Sequence, residues 1–394
     1  MKKTIKDIEL KNKNVTIRVD FNVPIKNGII QSNERIVAAL DTIQYALKNG
    51  AKVILLSHLS RVKNNNDLNT KSLLPVANEL ARLLNKKVHF SNSSSGSNLH
   101  QAVKNLNFGE ILLVENTRFQ DLNDKAESKN APWLAQQWAQ FSDVFINEAF
   151  ATAHREHASN VGISSRVKES GIGLLIEKEL NAFDLAFANE YCPFVAVVGG
   201  AKVKDKISYL TKLSQKADKI LIGGAMAYTF LKAQGFEVAN SLVEDDQLDF
   251  ATNLMQASTA KIVLPLDNAS VTSFVDVEWV YSLDQNVALG REGIDIGPKT
   301  VELFKRELQD AKLIYWNGPL GVFEKDFGSF GTREIGLFIA QSNAYSIIGG
   351  GDTISASEKF NFKHQINHVS TGGGASQQYL LERYLPAIES IQDK

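Results

Sequence analysis

The sequence predicts an α/β protein of two domains, each built on a parallel sheet with helices on its faces. Three observations predict it. Short β-branched runs alternate with longer amphipathic stretches, the pattern of parallel strands linked by crossover helices. The alternation runs through twice along the chain. The chain has 394 residues, beyond the size of about 250–300 at which one hydrophobic core stops growing.

The strands expected in the first half are 15–19, 52–56, 88–90, 111–114 and 143–146. The second half repeats the scheme at 194–198, 219–222, 261–264, 312–316 and 345–348. Between the halves, 174–183 carries apolar residues at helical spacing behind Gly171 and Gly173; it reads as a connecting helix or as a surface helix of either domain. The runs 91–98 and 63–67 are Ser- and Asn-rich, contain nothing that could pack, and are expected to be solvated loops without chemistry. No short fixed-period repeat is present, so neither a solenoid nor a propeller is indicated.

Composition narrows the function classes. Apolar residues make up 44% and charged residues 22%, and no apolar run approaches the roughly 20 residues of a membrane span. A net charge of −1, from 43 basic against 44 acidic side chains, gives no global attraction to nucleic acid or anionic lipid. Any polyanion site must therefore be local. The lone Cys192 cannot form an internal disulfide, its neighbours Tyr191 and Pro193 supply no base, and Met1 to Ile8 lack the apolar core of a secretion signal. The cytosol is the expected compartment.

In open parallel sheets, ligands lie beyond the carboxyl ends of the strands. The two halves differ there. The first offers Asp20-Phe21-Asn22, then Ser57-His58-Leu59-Ser60-Arg61, Glu115-Asn116-Thr117-Arg118 and Ala153-His154-Arg155-Glu156-His157, with Arg35 at the start of a helix. Arginines and a histidine converging from separate strand ends suit a small molecule carrying phosphate and carboxylate, because guanidinium forks match both anions. Taken singly, each arginine reads first as a solvated charge and His58 as a structural histidine; their shared position after strands is what points to a site.

The second half ends its strands in glycine instead: Gly199-Gly200-Ala201-Lys202, Gly223-Gly224, Asn317-Gly318-Pro319, Gly349-Gly350-Gly351-Asp352-Thr353 and Thr371-Gly372-Gly373-Gly374. Glycine lets backbone amides approach phosphates, and a helix opening behind such a loop aims free N–H groups at the anion. None of these is a Gly-x-x-x-x-Gly-Lys-Ser/Thr loop, and tight turns also explain glycine clusters. Asp352 reads either as a ligand to nucleotide-bound Mg²⁺ or as a helix N-cap. Lys202 and Lys206 would share a helical face if a helix begins near Ala201, either around an anion or as a solvated basic face.

Together the motifs Val19-Asp-Phe-Asn-Val-Pro24, Ser57-His-Leu-Ser-Arg61, Leu113-Val-Glu-Asn-Thr-Arg-Phe119, Asn147-Glu-Ala-Phe150, Ala153-His-Arg155, Gly199-Gly-Ala-Lys-Val-Lys-Asp-Lys206, Trp316-Asn-Gly-Pro-Leu-Gly-Val-Phe-Glu324, Gly349-Gly-Gly-Asp-Thr353 and Ser370-Thr-Gly-Gly-Gly374 stand in one order along the chain. In that order the sequence resembles the phosphoglycerate kinase family over essentially its full length. The resemblance implies an α/β fold of two Rossmann-like three-layer domains, their parallel sheets facing each other across a cleft and joined by a helix. It places a 3-phosphoglycerate-binding domain at 1–170, the interdomain helix at 171–186 and a nucleotide-binding domain at 187–377. The tail from about 378 to 394 returns to the first domain.

The resemblance further implies that Asp20, Phe21, Asn22, Arg35, His58, Leu59, Ser60, Arg61, Arg118 and Arg155 hold the triose. ATP or ADP is expected at Gly200, Lys202, Lys206, Gly223, Gly224, Gly293, Asn317, Pro319, Val322, Glu324, Gly350, Gly351, Asp352 and Thr353, with Mg²⁺ on Asp352. Arg35, Lys202, Lys206 and Gly373 are the expected catalytic positions. The expected partners are 3-phosphoglycerate or 1,3-bisphosphoglycerate and ATP or ADP, with no nucleic acid and no membrane, and the expected state is a monomer.

Two departures from the family pattern bear on the site. Ser60 stands where a glycine is usual and Val62 where a proline is usual, which bears on the backbone of that loop. Thr117 and Glu156 replace an apolar and a small residue and are expected beside the site, not in it. A dinucleotide-dependent oxidoreductase would need Gly-x-Gly-x-x-Gly after the first strand, where Asp20-Phe-Asn-Val-Pro24 stands instead. A non-catalytic homologue would be marked by loss of Arg35, Lys202, Lys206 or Asp352, and all four are present.

Overall fold

In the computed structural model, residues 1–186, 192–275 and 278–394 are described. The expected start of the second domain at 187, and Tyr191, lie outside them. The chain divides into two compact units, one of Met1–Asn181 with Glu382–Lys394, the other of Ala182–Leu381.

The first unit is a six-stranded parallel sheet in the order His89–Ser91, Ile111–Val114, Lys52–Leu56, Asn14–Arg18, Val144–Asn147 and Glu169–Ile172. Its central strands are buried on both faces, so they read as continuous apolar runs such as Ile111-Leu-Leu-Val114. Packed behind them are Ile43 and Ala46 of helix Leu40–Lys48 and Val76, Ala77 and Leu80 of helix Leu74–Leu84. Ile43, Val76 and Leu80, fully buried, contribute roughly 1.5–3 kcal/mol each. The C-terminal segment returns to this unit: the Gln392 carbonyl accepts from the Lys3 amide at 2.8 Å, and the Met1 carbonyl from the Lys394 amide at 3.0 Å.

The second unit holds another six-stranded parallel sheet, ordered Lys261–Val263, Lys219–Ile222, Phe194–Val198, Leu313–Asn317, Tyr345–Gly349 and His368–Ser370. Numbered by their sequence within the sheet, these strands run 3-2-1-4-5-6, the doubly wound order of dinucleotide folds. The order reverses between Phe194–Val198 and Leu313–Asn317, where a ligand crevice is expected. Trp316 stacks on Phe362 in the core beneath, centroids 5.8 Å apart. A three-stranded antiparallel sheet, Trp279–Tyr281, Asn268–Val271 and Glu292–Ile296, is added to this unit.

Several expectations need correction. The strands Glu169–Ile172 and His368–Ser370 and the antiparallel sheet were not expected; they are short, and the first contains a glycine and a serine that mask its pattern. The run 91–98 does pack: Ser91 ends a strand, helix Gly96–Asn105 begins within it, and the buried Ser94 accepts from Trp138 through its carbonyl and from Gln120 through its hydroxyl. Helix Leu174–Ala186 is the connection, its first residues belonging to the first unit and its last to the second.

Candidate functional site

Two clusters of the expected residues form, one in each unit. In the first, Asp20 sits beyond the strand Asn14–Arg18 and is nearly buried; one carboxylate oxygen accepts from Arg35 of helix Glu34–Ala38, and the other from the Asn22 amide at 3.2 Å. The Asn22 side-chain oxygen accepts from the Ser60 amide at 2.8 Å. The Ser57 hydroxyl accepts from the Phe21 amide at 2.9 Å, tying two strand-end loops together. Asn116 binds the third: its side-chain oxygen accepts from the Leu59 amide at 3.0 Å and the Arg118 amide at 3.1 Å, and its amide group donates to the Leu59 carbonyl. The Arg118 guanidinium reaches the Ser60 carbonyl at 3.4 Å.

Ser60 has φ +56°, the left-handed region. A glycine would take this conformation without strain, whereas the Cβ of the serine makes it cost about 1–2 kcal/mol. Thr117 is buried with no partner for its hydroxyl, and Glu156 is exposed.

The electrostatics of this cluster are those of an anion site. Burial pulls Arg118 below the usual arginine range, and the neighbouring Arg155 pulls it further; burial and then Arg61 do the same to Arg155. His58 is held well below the ordinary histidine range by burial and then by Arg18, with Arg118, Arg155 and His157 adding. Like charges held so close, in a partly dehydrated setting, are relieved by a bound polyanion.

Sequence reasoning passed over Arg18. It is buried, and it donates to the Ser159 hydroxyl at 2.7 Å, to the Val19 carbonyl and to His58 at 3.3 Å. The signal was present, since a lone charge inside the run Val15-Thr-Ile-Arg-Val19 of a central strand must find partners. Ser57 and Asn116 were in view as part of the loops but not as the groups that position them.

In the second unit, Gly200, Ala201, Lys202, Asp205, Lys206, Asn317, Gly318, Pro319 and Gly350 to Thr353 line a cavity of about 330 Å³ at the point where the strand order reverses. The Lys206 ammonium donates to the Gly199 carbonyl at 2.7 Å and to the Asn317 carbonyl and side-chain oxygens at 3.0 Å each. Burial brings it down to about 8, while Asp352 opposes that fall. Thr353 accepts from the Gly318 amide at 2.7 Å, and the Asn317 amide group donates to the Gly349 carbonyl at 2.9 Å, so three strand-end turns are fixed to one another. A Cβ on Gly318 would stand 2.2 Å from the Gly199 carbonyl oxygen, which makes part of the glycine content a packing requirement. Gly351, by contrast, has open space where a side chain would be.

The helix expected to begin near Ala201 begins at Ile207, after a 3-10 turn over Lys204–Lys206. The Glu244 carboxylate takes the Val203 and Lys204 amides and holds the preceding segment as a loop. Lys202 and Lys206 therefore do not share a helical face, yet both line the cavity.

Gly223, Gly224, Gly293, Val322 and Glu324 lie outside this lining. The Gly224 amide donates to the Leu320 carbonyl, and the Val322 amide to the Ile294 carbonyl at 2.9 Å. Val322 packs with Ala269, Val271, Ile294, Tyr281 and Phe327 against the antiparallel sheet. Glu324 is exposed. Gly293 follows Glu292 in that sheet, where a Cβ would collide with the Tyr228 hydroxyl. Gly373, at φ +52°, precedes helix Gly374–Glu382 and lines no part of the cavity.

For a metal, Asp352 offers an exposed carboxylate in the first turn of helix Gly351–Lys359, beside Lys202 and Lys206, and Asp205 is the other carboxylate that lines the cavity. Among the described residues no group of three or more His, Cys, Asp or Glu side chains could cage an ion. That fits Mg²⁺ carried by a nucleotide, which takes one or two carboxylates and leaves its other positions to phosphate and water.

Among the described residues no helix is long and apolar enough to cross a membrane. The profile of the family described as phosphoglycerate kinase matches residues 5–383. A protein of Enterococcus faecalis named phosphoglycerate kinase is 49% identical over 397 residues, covering all of both chains, and one of Lactobacillus delbrueckii subsp. bulgaricus is 48% identical over 398 residues, covering 99% of each. The solved structure of phosphoglycerate kinase from Coxiella burnetii superposes with a TM-score of 0.86 at 39% identity, covering 99% of this chain and 98% of that one. That from Pyrococcus horikoshii gives 0.84 at 30%, covering 98% of each. With a family profile matching residues 5–383, relatives 48–49% identical along the whole chain and solved structures that superpose on nearly all of it, the chain belongs to the phosphoglycerate kinase family of phosphotransferases.

Proposed function

We propose that this chain moves a phosphoryl group reversibly between the acyl phosphate of 1,3-bisphosphoglycerate and the β-phosphate of ADP, giving 3-phosphoglycerate and ATP in glycolysis and its reversal. The observation that carries this is a pair of anion sites of different chemistry: crowded arginines around Asp20 and His58 in one unit, and a glycine-lined cavity with Lys202, Lys206 and Asp352 in the other. The first suits a three-carbon phosphoacid and the second a nucleotide's phosphate chain. Accordingly we assign 1–170 with the tail from about 378 to triose binding, 171–186 to the connection and 187–377 to nucleotide binding.

In the ATP-forming direction the P–O bond to the acyl oxygen breaks, its electron pair leaves on the carboxylate, and a bond to the ADP β-phosphate oxygen forms. The carboxylate of 3-phosphoglycerate is ionised at neutral pH, so the reverse reaction needs no general base. Phosphoryl transfer asks instead for in-line placement and positive charge about the moving group. Arg35, Lys202 and Lys206 supply that charge, with amides near Gly373, and Asp352 would hold Mg²⁺, which when bound neutralises phosphate oxygens. A cytosolic monomer is the state we expect, and sedimentation tests it.

A coupled assay of ATP formation from ADP and 1,3-bisphosphoglycerate tests the activity. Arg35→Ala is expected to lower kcat about a hundredfold with little change in the KM for ADP, because its charge matters chiefly at the transition state. Equal, small effects on both parameters would end the assignment of Arg35.

A further inference from the structure

Beneath the arginine cluster lies a buried chain of polar groups that ligand binding alone does not require. Glu127 is completely buried and comes from the segment before helix Pro132–Ala139. One of its carboxylate oxygens accepts from the Ser159 amide at 3.0 Å, and the other from the Ser159 hydroxyl. Ser159 in turn accepts from Arg18 Nε at 2.7 Å, and Arg18 Nη2 lies 3.3 Å from His58 Nδ1.

The chemistry of the donors gives this chain a direction. A guanidinium only donates, so the Ser159 oxygen is the acceptor from Arg18, and its one proton is left for Glu127. Both Glu127 oxygens are thereby acceptors, as in an ionised carboxylate. At the other end, His58 Nδ1 faces a group that can only donate, so Nδ1 is the acceptor and the ring proton belongs on Nε2. A competing partner exists in Asp20, whose Oδ1 is 3.8 Å from the same Nδ1, beyond hydrogen-bond reach. The other charged or titratable groups acting on His58 are Arg118, Arg155 and His157, and they oppose a second proton on the ring. Burial pushes Glu127 up and Arg18 down, and each opposes the shift of the other.

We propose that Glu127, acting through Ser159 and Arg18, is a positioning residue that fixes His58 as a neutral imidazole protonated on Nε2, a donor to an acidic oxygen of the triose ligand. The inference deepens the proposed function and rests on it for the ligand, but the relay itself is a property of the unliganded chain. Removing the Glu127 charge leaves the buried Arg18 with only the weaker of its two counter-charges, Asp20, and frees it to turn from His58. The effect on binding is that of losing one charge-assisted hydrogen bond, about tenfold in the KM for 3-phosphoglycerate.

The test is ¹⁵N nuclear magnetic resonance of the histidine side chains in the ligand-free protein, with His58 assigned by the signals lost in His58→Gln. The expected result is an unprotonated Nδ1 and a protonated Nε2 at neutral pH. Glu127→Gln and Ser159→Ala are expected to shift both nitrogens and to raise the KM for 3-phosphoglycerate about tenfold while leaving that for the nucleotide within about twofold. If Glu127→Gln does not fold, the wild-type spectrum and Ser159→Ala decide. A proton on Nδ1 in the wild type, or nitrogen shifts unchanged in Ser159→Ala, overturns the proposal. The stated tautomer with no response of any signal to added 3-phosphoglycerate supports the relay and overturns the ligand assignment instead.

Discussion

Lys206 shows at the scale of one residue how burial and hydrogen bonds compete over the charge of a single side chain. Three oxygens accept from its ammonium, yet burial still brings it down to about 8 from the ordinary lysine value of 10.5. The folded form therefore binds this proton less tightly than the unfolded chain does. Stability without ligand carries the full penalty below pH of about 8 and recovers as pH rises from there toward 10.5. A phosphate chain beside Lys206 restores the preference for the charged form, so nucleotide binding just above pH 8 is expected to take up protons. Calorimetry in buffers of different ionisation enthalpy measures that uptake, and Lys206→Arg, always charged, should abolish it. Binding heats that do not vary with buffer in the wild type would contradict this account. The sequence showed Lys206 and its four-residue spacing from Lys202, but not the oxygens around it, which come from segments up to 111 residues away.

At the scale of an element, the connecting helix Leu174–Ala186 has an N-terminus held by side chains remote in sequence. Glu148, just past the strand Val144–Asn147, accepts from the Leu175 amide at 3.0 Å, the Ile176 amide at 3.4 Å and the Thr42 hydroxyl; Thr42 itself accepts from the Leu174 amide at 2.8 Å. A Cβ on Gly173 would stand 2.1 Å from the Glu148 carboxylate, so the turn into the helix admits only glycine. Burial pushes the Glu148 carboxyl up to about 7, with Asp41 adding, against the three hydrogen bonds it accepts. The folded state thus holds this proton more tightly, and the contribution of Glu148 to stability falls as pH rises from 4.5 through 7. Glu148→Gln is expected to flatten that part of the urea-midpoint profile. Glu148→Ala leaves two amides and a hydroxyl without their acceptor and should cost about 3 kcal/mol. An unchanged profile in Glu148→Gln would show that burial of the carboxyl is not what sets it. Apolar spacing had marked this helix in the sequence, whereas its cap, 26 residues or more upstream, left no local trace.

On the scale of the whole molecule, the two units have separate cores, one around Val15, Ile17, Val53 and Leu113, the other around Val197, Ile314, Trp316 and Phe362. Ligands assigned to different units should then leave separate footprints. In hydrogen exchange followed by mass spectrometry, 3-phosphoglycerate is expected to protect 20–22, 58–61 and peptides holding Arg118 and Arg155. ATP with Mg²⁺ should protect 199–206, 317–324 and 350–353. Protection by both ligands confined to one unit would overturn the division of roles.

Much of this architecture was legible because parallel strands buried on both faces leave unbroken apolar runs, as at Lys52–Leu56 and Phe194–Val198. The candidate site residues could be proposed for a related reason: in such sheets ligand-facing loops follow directly after the strands, where motifs stay contiguous. By itself, then, the sequence determined the fold class, the family likeness and the candidate loops beyond the strand ends. Tertiary structure alone decided the strand order, the late start of the helix at Ile207, the small antiparallel sheet, the partners of Arg18 and the burial of Glu127 and Glu148. These depend on which distant groups meet in a dehydrated space. There the strength of a charge or hydrogen bond is set by neighbours that no local pattern encodes.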